Sequence, residues 1–270
     1  MFLRPSGKMD TRLIPECSAL WASTAHPGVF WTLSDSGAKP VIVPIRADGS
    51  RAFTGKGHAG GVTLKGATHV DWEALSGDAA GNLIVGDVGN NVSRRRELVC
   101  YLLKEPRLED TEAEVRRVGF AWPDQVAFPD PALNRDCEAM FMLRGRVYLL
   151  TKHRRDTLTD LWRADIPAVG DRATRTKIAR VDVGGMVTDA CLSPDRTRLA
   201  ILTYRSVWVF DVPPSGEDFF ATRALYAPLA PPALSFQIEA ITWAEAGQLI
   251  IGSEQGDLFR VALSELRSVP

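Results

Sequence analysis

Five short stretches of the chain carry the same pattern, an acidic or small polar residue, then Ala, then an apolar residue. They are Ser18-Ala19-Leu20, Glu73-Ala74-Leu75, Glu138-Ala139-Met140, Asp189-Ala190-Cys191 and Glu239-Ala240-Ile241. Successive copies lie 55, 65, 51 and 50 residues apart, and the step from Glu239 through the C-terminus back to Ser18 is 49. A fold that brought these stretches together would gather up to seven carboxylates: Glu16, Asp71, Glu73, Asp136, Glu138, Asp189 and Glu239. Close carboxylates repel, and the repulsion is relieved by protonation, by a basic partner or by a metal. Oxygen ligands without His or Cys favour a hard cation, and a roomy ring favours calcium over magnesium. The expected metal ligands are therefore Ser18, Glu73, Glu138, Asp189 and Glu239. Asp71 or Asp136, two residues earlier, would serve as general base toward a polarised water. The competing reading is a polar channel that holds water and satisfies backbone groups.

Basic residues follow the same rhythm. Arg94, Arg95 and Arg96, then Lys152 to Arg155, then Arg205 each come after an apolar run. A cationic rim over an acidic floor suits an anionic small molecule such as a phosphate or carboxylate. Asp35, Asp87, Asn90, Lys152, Arg205 and Glu254 are the expected substrate-binding residues. His153 is a further acid–base candidate, and residues 122–134 form a Pro-rich loop that could cover the site.

The elements that would position these residues are short strands. After each acidic pattern comes an apolar β-type run ending in a polar residue: residues 29–35, 83–87, 147–152, 199–204 and 249–254. Turn residues precede most of them, including Pro27-Gly28, Gly81-Asn82, Gly145, Pro194-Asp195 and Gly247, which is hairpin punctuation. A third run often follows. Short strands in a repeat of about 50 residues predict a β-propeller with four strands per blade. The fold class is thus all-β: a single domain over residues 1–270, a five-bladed propeller. The fifth repeat shows three strands, and residues 2–14 would supply its outer one. Six blades, with one hidden in the long 73–138 interval, are the alternative. In this geometry inner strands start, and second strands end, at the same face, so the polar repeat residues converge there.

Composition limits the partners. The 270 residues include 32 Lys and Arg against 33 Asp and Glu, a net charge of −1, which argues against nucleic acid or an anionic membrane. No apolar run is long enough for a transmembrane helix. The N-terminal stretch lacks a secretory pattern, and Cys17, Cys100, Cys137 and Cys191 form no CxxC pair, so the expectation is a reduced, cytoplasmic protein. A GxSxG elbow is absent, and Gly86 and Gly89 lack the third glycine of a dinucleotide site.

Asp71-Trp72-Glu73, followed by Gly86-Asp87-Val88-Gly89-Asn90-Asn91 and its arginines, resembles a family of uncharacterised bacterial propeller proteins. That family carries a DWE strand start and a GDxGNN-like loop, and the similarity extends over residues 15–260. It implies the fold and the place of the site. The inner ring also resembles that of calcium-activated apyrases, five-bladed propellers that hold calcium through Ser or Glu at inner-strand starts. Ser18, Glu73, Glu138 and Glu239 match by position, while Asp189 replaces a serine. Gluconolactonase-type propellers offer a similar calcium chemistry. Together these readings lead to an expected function: a calcium-binding propeller, with magnesium as second choice, hydrolysing a phosphoester, phosphoanhydride or lactone. The alternative is a non-catalytic propeller that binds a ligand or partner protein.

Overall fold

The computed structural model describes residues 1–35, 37–56, 60–230 and 236–269. Its strands form five sheets arranged in a ring, a five-bladed β-propeller. Blade one holds Cys17–Ala22, Val29–Ser34, Val41–Arg46 and Val62–Lys65. Blade two holds Trp72–Gly77, Asn82–Asp87, Leu98–Lys104 and Arg116–Phe120. Blade three holds Asp136–Leu143, Arg146–Lys152, Leu158–Asp165 and Thr174–Asp182. Blade four holds Val187–Leu192, Arg198–Thr203, Ser206–Asp211 and Ala224–Pro228. Blade five holds Ile238–Glu245, Gln248–Ser253 and Asp257–Ala262. Among the described residues no helix is long and apolar enough to cross a membrane.

The hairpins form where the turn residues allow a left-handed backbone. Gly28, Gly81, Gly145 and Gly247 have φ of 77°, 72°, 73° and 93° between the first and second strands of their blades. The second strands read as continuous apolar runs because neighbouring blades cover both of their faces. Val29–Ser34 and residues 83–87 are buried throughout. Trp31, Trp72 and Trp243 are fully buried between blades, where large aromatic area contributes most.

The fourth strand of blade five comes from the other end of the chain. Pro5–Lys8 pairs antiparallel with Asp257–Ala262, as the three visible strands of the last repeat require. Two further strands lie on blade edges. Arg267–Val269 extends blade four, and Glu112–Glu114 runs parallel to Val62–Lys65 of blade one. The long interval between Glu73 and Glu138 holds that edge strand and the 122–134 loop, and no sixth blade. The loop is packed down: Trp122 Nε1 donates to Arg135 O, and Gln125 Nε2 donates to Ser93 O.

Every inner strand begins with a β-bulge. The register shifts between Cys17 and Ala19, Trp72 and Ala74, Cys137 and Ala139, Val187 and Asp189, and Ile238 and Ala240. The unpaired residues are Ser18, Glu73, Glu138, Thr188 and Glu239. A bulge re-aims its side chain, and these bulges define one ring around the axis.

Candidate functional site

Three of the five expected ring residues come together. Oxygens of Glu73, Glu138 and Glu239 lie within 4.8 Å of one another, and all three side chains are buried. Glu73 belongs to a second triad as well, with Asp35 and Asp71 at the mouth, under the same distance limit. The other two expected ligands are engaged elsewhere. Ser18 Oγ donates to Trp72 O at 2.8 Å. Asp189 accepts from the backbone N–H of Ala190 and of Ile241, both at 2.7 Å, and from Leu20. It ties the inner strands of blades four, five and one. Blade four's bulged residue is Thr188, so Asp189 stands where the other blades have Ala19, Ala74, Ala139 and Ala240.

The residues that follow the second strands form a second ring. The partners opposite the bulges are Ser34, Asp87, Thr151, Thr203 and Ser253. Their successors are Asp35, Val88, Lys152, Tyr204 and Glu254, and four of these are polar. Lys152 Nζ donates to Glu138 Oε2 at 2.9 Å and to Tyr204 Oη at 3.1 Å, and lies 3.8 Å from Glu239 Oε1. Tyr204 Oη in turn donates to Glu239 Oε1. Burial opposes the charge of Lys152, but Glu138 and Glu239 outweigh it and raise its pKa. Lys152 is therefore a fixed internal cation for Glu138 and Glu239. Tyr204 was readable as the homologue of Asp35, Lys152 and Glu254; the exposed Arg205 is one residue further on.

The remaining acids divide by environment. Both oxygens of Asp136 are engaged: Oδ1 accepts from Asn90 N at 2.6 Å and Oδ2 from Arg154 Nε at 2.8 Å. Asp136 is fully buried, and these contacts tie it to the Asn90 and Arg154 loops. Asp87 accepts from the backbone of Val70 and Asp71 and from Arg95 at 2.7 Å. Asn90 Oδ1 accepts from Arg95 N, and its Nδ2 donates to Arg135 O. Asp87, Asn90 and Arg95 therefore shape the loop that carries the site. His153 faces away from the axis, 2.9 Å from Asp156 Oδ1 and 3.6 Å from Asp160 Oδ2.

Asp71 differs from Asp136. Burial, then repulsion from Asp35 and Asp136, pushes its pKa up to about 7, against the pull of Arg95. Glu73 is raised well above its ordinary value, by burial first and then by Glu138 and Asp35. Glu254 reaches about 7 through burial and repulsion from Glu239 and Glu16. Beside Asp71 a cleft of about 420 Å³ opens, lined by Val70, Asn90, Asn91, Val92, Arg94 and Arg95. The arginines join the acidic mouth here, while Lys152 stays below in the channel.

Gly89 sets the floor of this cleft. A Cβ there would lie 2.4 Å from Asp71 Oδ2 and 2.9 Å from Glu73 Cγ. Gly89→Ala should displace both carboxylates and destabilise the protein by about 1–3 kcal/mol, read from the urea midpoint. An unchanged midpoint would show that the acids can move aside freely.

No protein-family model matches the chain, and no curated protein does. Solved structures do match it. One is a chain of the crystal structure of the mitotic checkpoint complex, 14% identical with a TM-score of 0.39. The alignment covers 90% of the present chain and 60% of that chain.

Proposed function

We propose that the mouth of the channel binds a calcium ion, with magnesium as the weaker alternative, at Asp35, Asp71 and Glu73, and that the adjoining cleft takes an anionic small molecule. The observation that carries this reading is Glu73 Oε2, a buried carboxylate oxygen with no hydrogen-bond partner. An oxygen-only donor set with an unsatisfied buried member fits a hard cation. Lys152 already compensates Glu138 and Glu239, which favours the outer triad over the inner one.

A bound cation would supply Lewis acidity and a water of lowered pKa. The chain would supply the rest. Arg94, exposed on the cleft wall, would hold the substrate's anionic group, and Arg95 would keep the Asp87 loop in place. Asp71 reaches both the triad and the cleft and would orient a water toward the substrate. The reaction class is hydrolysis of a phosphoester, phosphoanhydride or lactone. The four free, buried thiols suit a reducing compartment, and we place the protein in the cytoplasm.

Thermal unfolding of metal-stripped protein tests the cation site. Calcium at about 100 times its dissociation constant should add roughly 2.7 kcal/mol of stability, and Glu73→Gln should remove most of that gain. No shift with either ion overturns the proposal. Turnover of model esters that responds to Arg94→Ala would support hydrolysis; saturable binding without turnover would identify a binding module instead.

A further inference from the structure

At the opposite end of the channel, the turns between inner and second strands enclose a pocket of about 350 Å³. Trp21, Phe30 and Trp243, with Pro27 and Pro194, supply apolar walls. A charged side chain enters this pocket. Arg196 occupies the blade-four hairpin at φ 61° and reaches toward blades three and two. It donates to Met142 O of blade three at 2.6 Å and to Gly77 O of blade two at 3.2 Å. A guanidinium has five N–H donors, and among the described residues three of them have no acceptor.

Its charge lacks a counter-ion among the described residues. Asp78 is the acid whose field it feels. That carboxylate is held by the backbone N–H groups of Ala80 and Asn82 and by the Asn82 amide. Burial lowers the Arg196 pKa against the pull of Asp78, so the site favours a partner that restores the lost solvation. A planar carboxylate matches the fork of a guanidinium. The volume lies at the small end of ligand pockets, enough for one or two fused rings.

We infer that this pocket binds a small aromatic carboxylate, its ring against Trp21, Pro27 and Pro194 and its carboxylate on the remaining Arg196 donors. The site is separate from the carboxylate mouth and does not depend on a cation there.

Titration calorimetry on the full chain tests it with two probes of one shape, indole-3-acetate and its neutral amide. The acid should bind at least about tenfold more tightly than the amide. Arg196→Gln should erase that preference. Because Arg196 also anchors two carbonyls, a second variant keeps it: Ala79→Trp, at an exposed wall position, should block both probes while leaving the melting temperature unchanged. Equal binding of acid and amide would overturn the inference. So would no binding of either at about millimolar concentration, or binding that survives Ala79→Trp.

Discussion

Replacing Lys152 with methionine should destabilise the protein by about 3–5 kcal/mol at mildly alkaline pH, the range for breaking a buried ion pair by removing one partner. Lys152 is 2% exposed, and its ammonium sits between Glu138 and Glu239. Methionine keeps the stem and removes the charge, which leaves two buried carboxylates facing each other and Glu73. The penalty should shrink as pH falls. Burial raises the Glu138 pKa well above its ordinary value even with Lys152 present, and Glu73 is raised by burial and by Glu138. A carboxyl group raised in the folded state contributes stability that is fully present below its unfolded pKa, about 4.3, and lost as pH climbs through the folded value. Without the lysine, protons take over the neutralising role, so the variant should approach the parent at mildly acidic pH and lose stability relative to it as the pH rises. Urea unfolding at a mildly acidic and a mildly alkaline pH decides it. An equal penalty at both would mean that Lys152 acts through packing alone.

Removing residues 1–10 should have an effect of similar or larger size. Pro5–Lys8 closes blade five, and the segment also spans three blades. Leu3 packs into the core shared by blades four and five, and Met9 into the core shared by blades five and one. Burying each such side chain contributes roughly 1.5–3 kcal/mol. Backbone bonds add to this: Met9 N donates to Gly256 O at 2.8 Å, and Lys8 N to Asp48 O of the blade-one hairpin at 3.0 Å. Deletion leaves the strand Asp257–Ala262 as an open edge and uncovers both cores. A loss of about 4 kcal/mol or more is expected in the urea midpoint, with recovery on adding the segment as a separate peptide. An unchanged midpoint would show that the ring holds without this closure.

The blade number and the closing strand were legible because the repeat has a period, because turn glycines mark the hairpins, and because the last repeat lacks a strand. The site was legible only in part, and three of the departures are shifts of one residue. An alignment on acid-then-Ala cannot see that a bulge adds a residue to the inner strand. It therefore placed Asp189 in the ring, where Thr188 stands. The same shift separates Arg205 from Tyr204, and Asp87 from the ring position taken by Val88. Glu73, Glu138 and Glu239 were found because their blades share one bulge position and one residue type. The pairing of Lys152 with Glu138 had no sequence signal beyond its place at the end of an apolar run. Arg154 on Asp136 had none, since the contact depends on how a loop folds back.

The bulge at the head of each inner strand also separates two tasks that a sheet usually couples. A residue in a regular ladder must suit its cross-strand partner, so changing it disturbs pairing. Ser18, Glu73, Glu138, Thr188 and Glu239 have no such partner. Their identities can vary while the hydrogen-bond ladder beside them stays intact. The propeller thus offers five sockets on one rigid rim, in which side-chain size and charge can be rewritten one blade at a time without re-registering a strand.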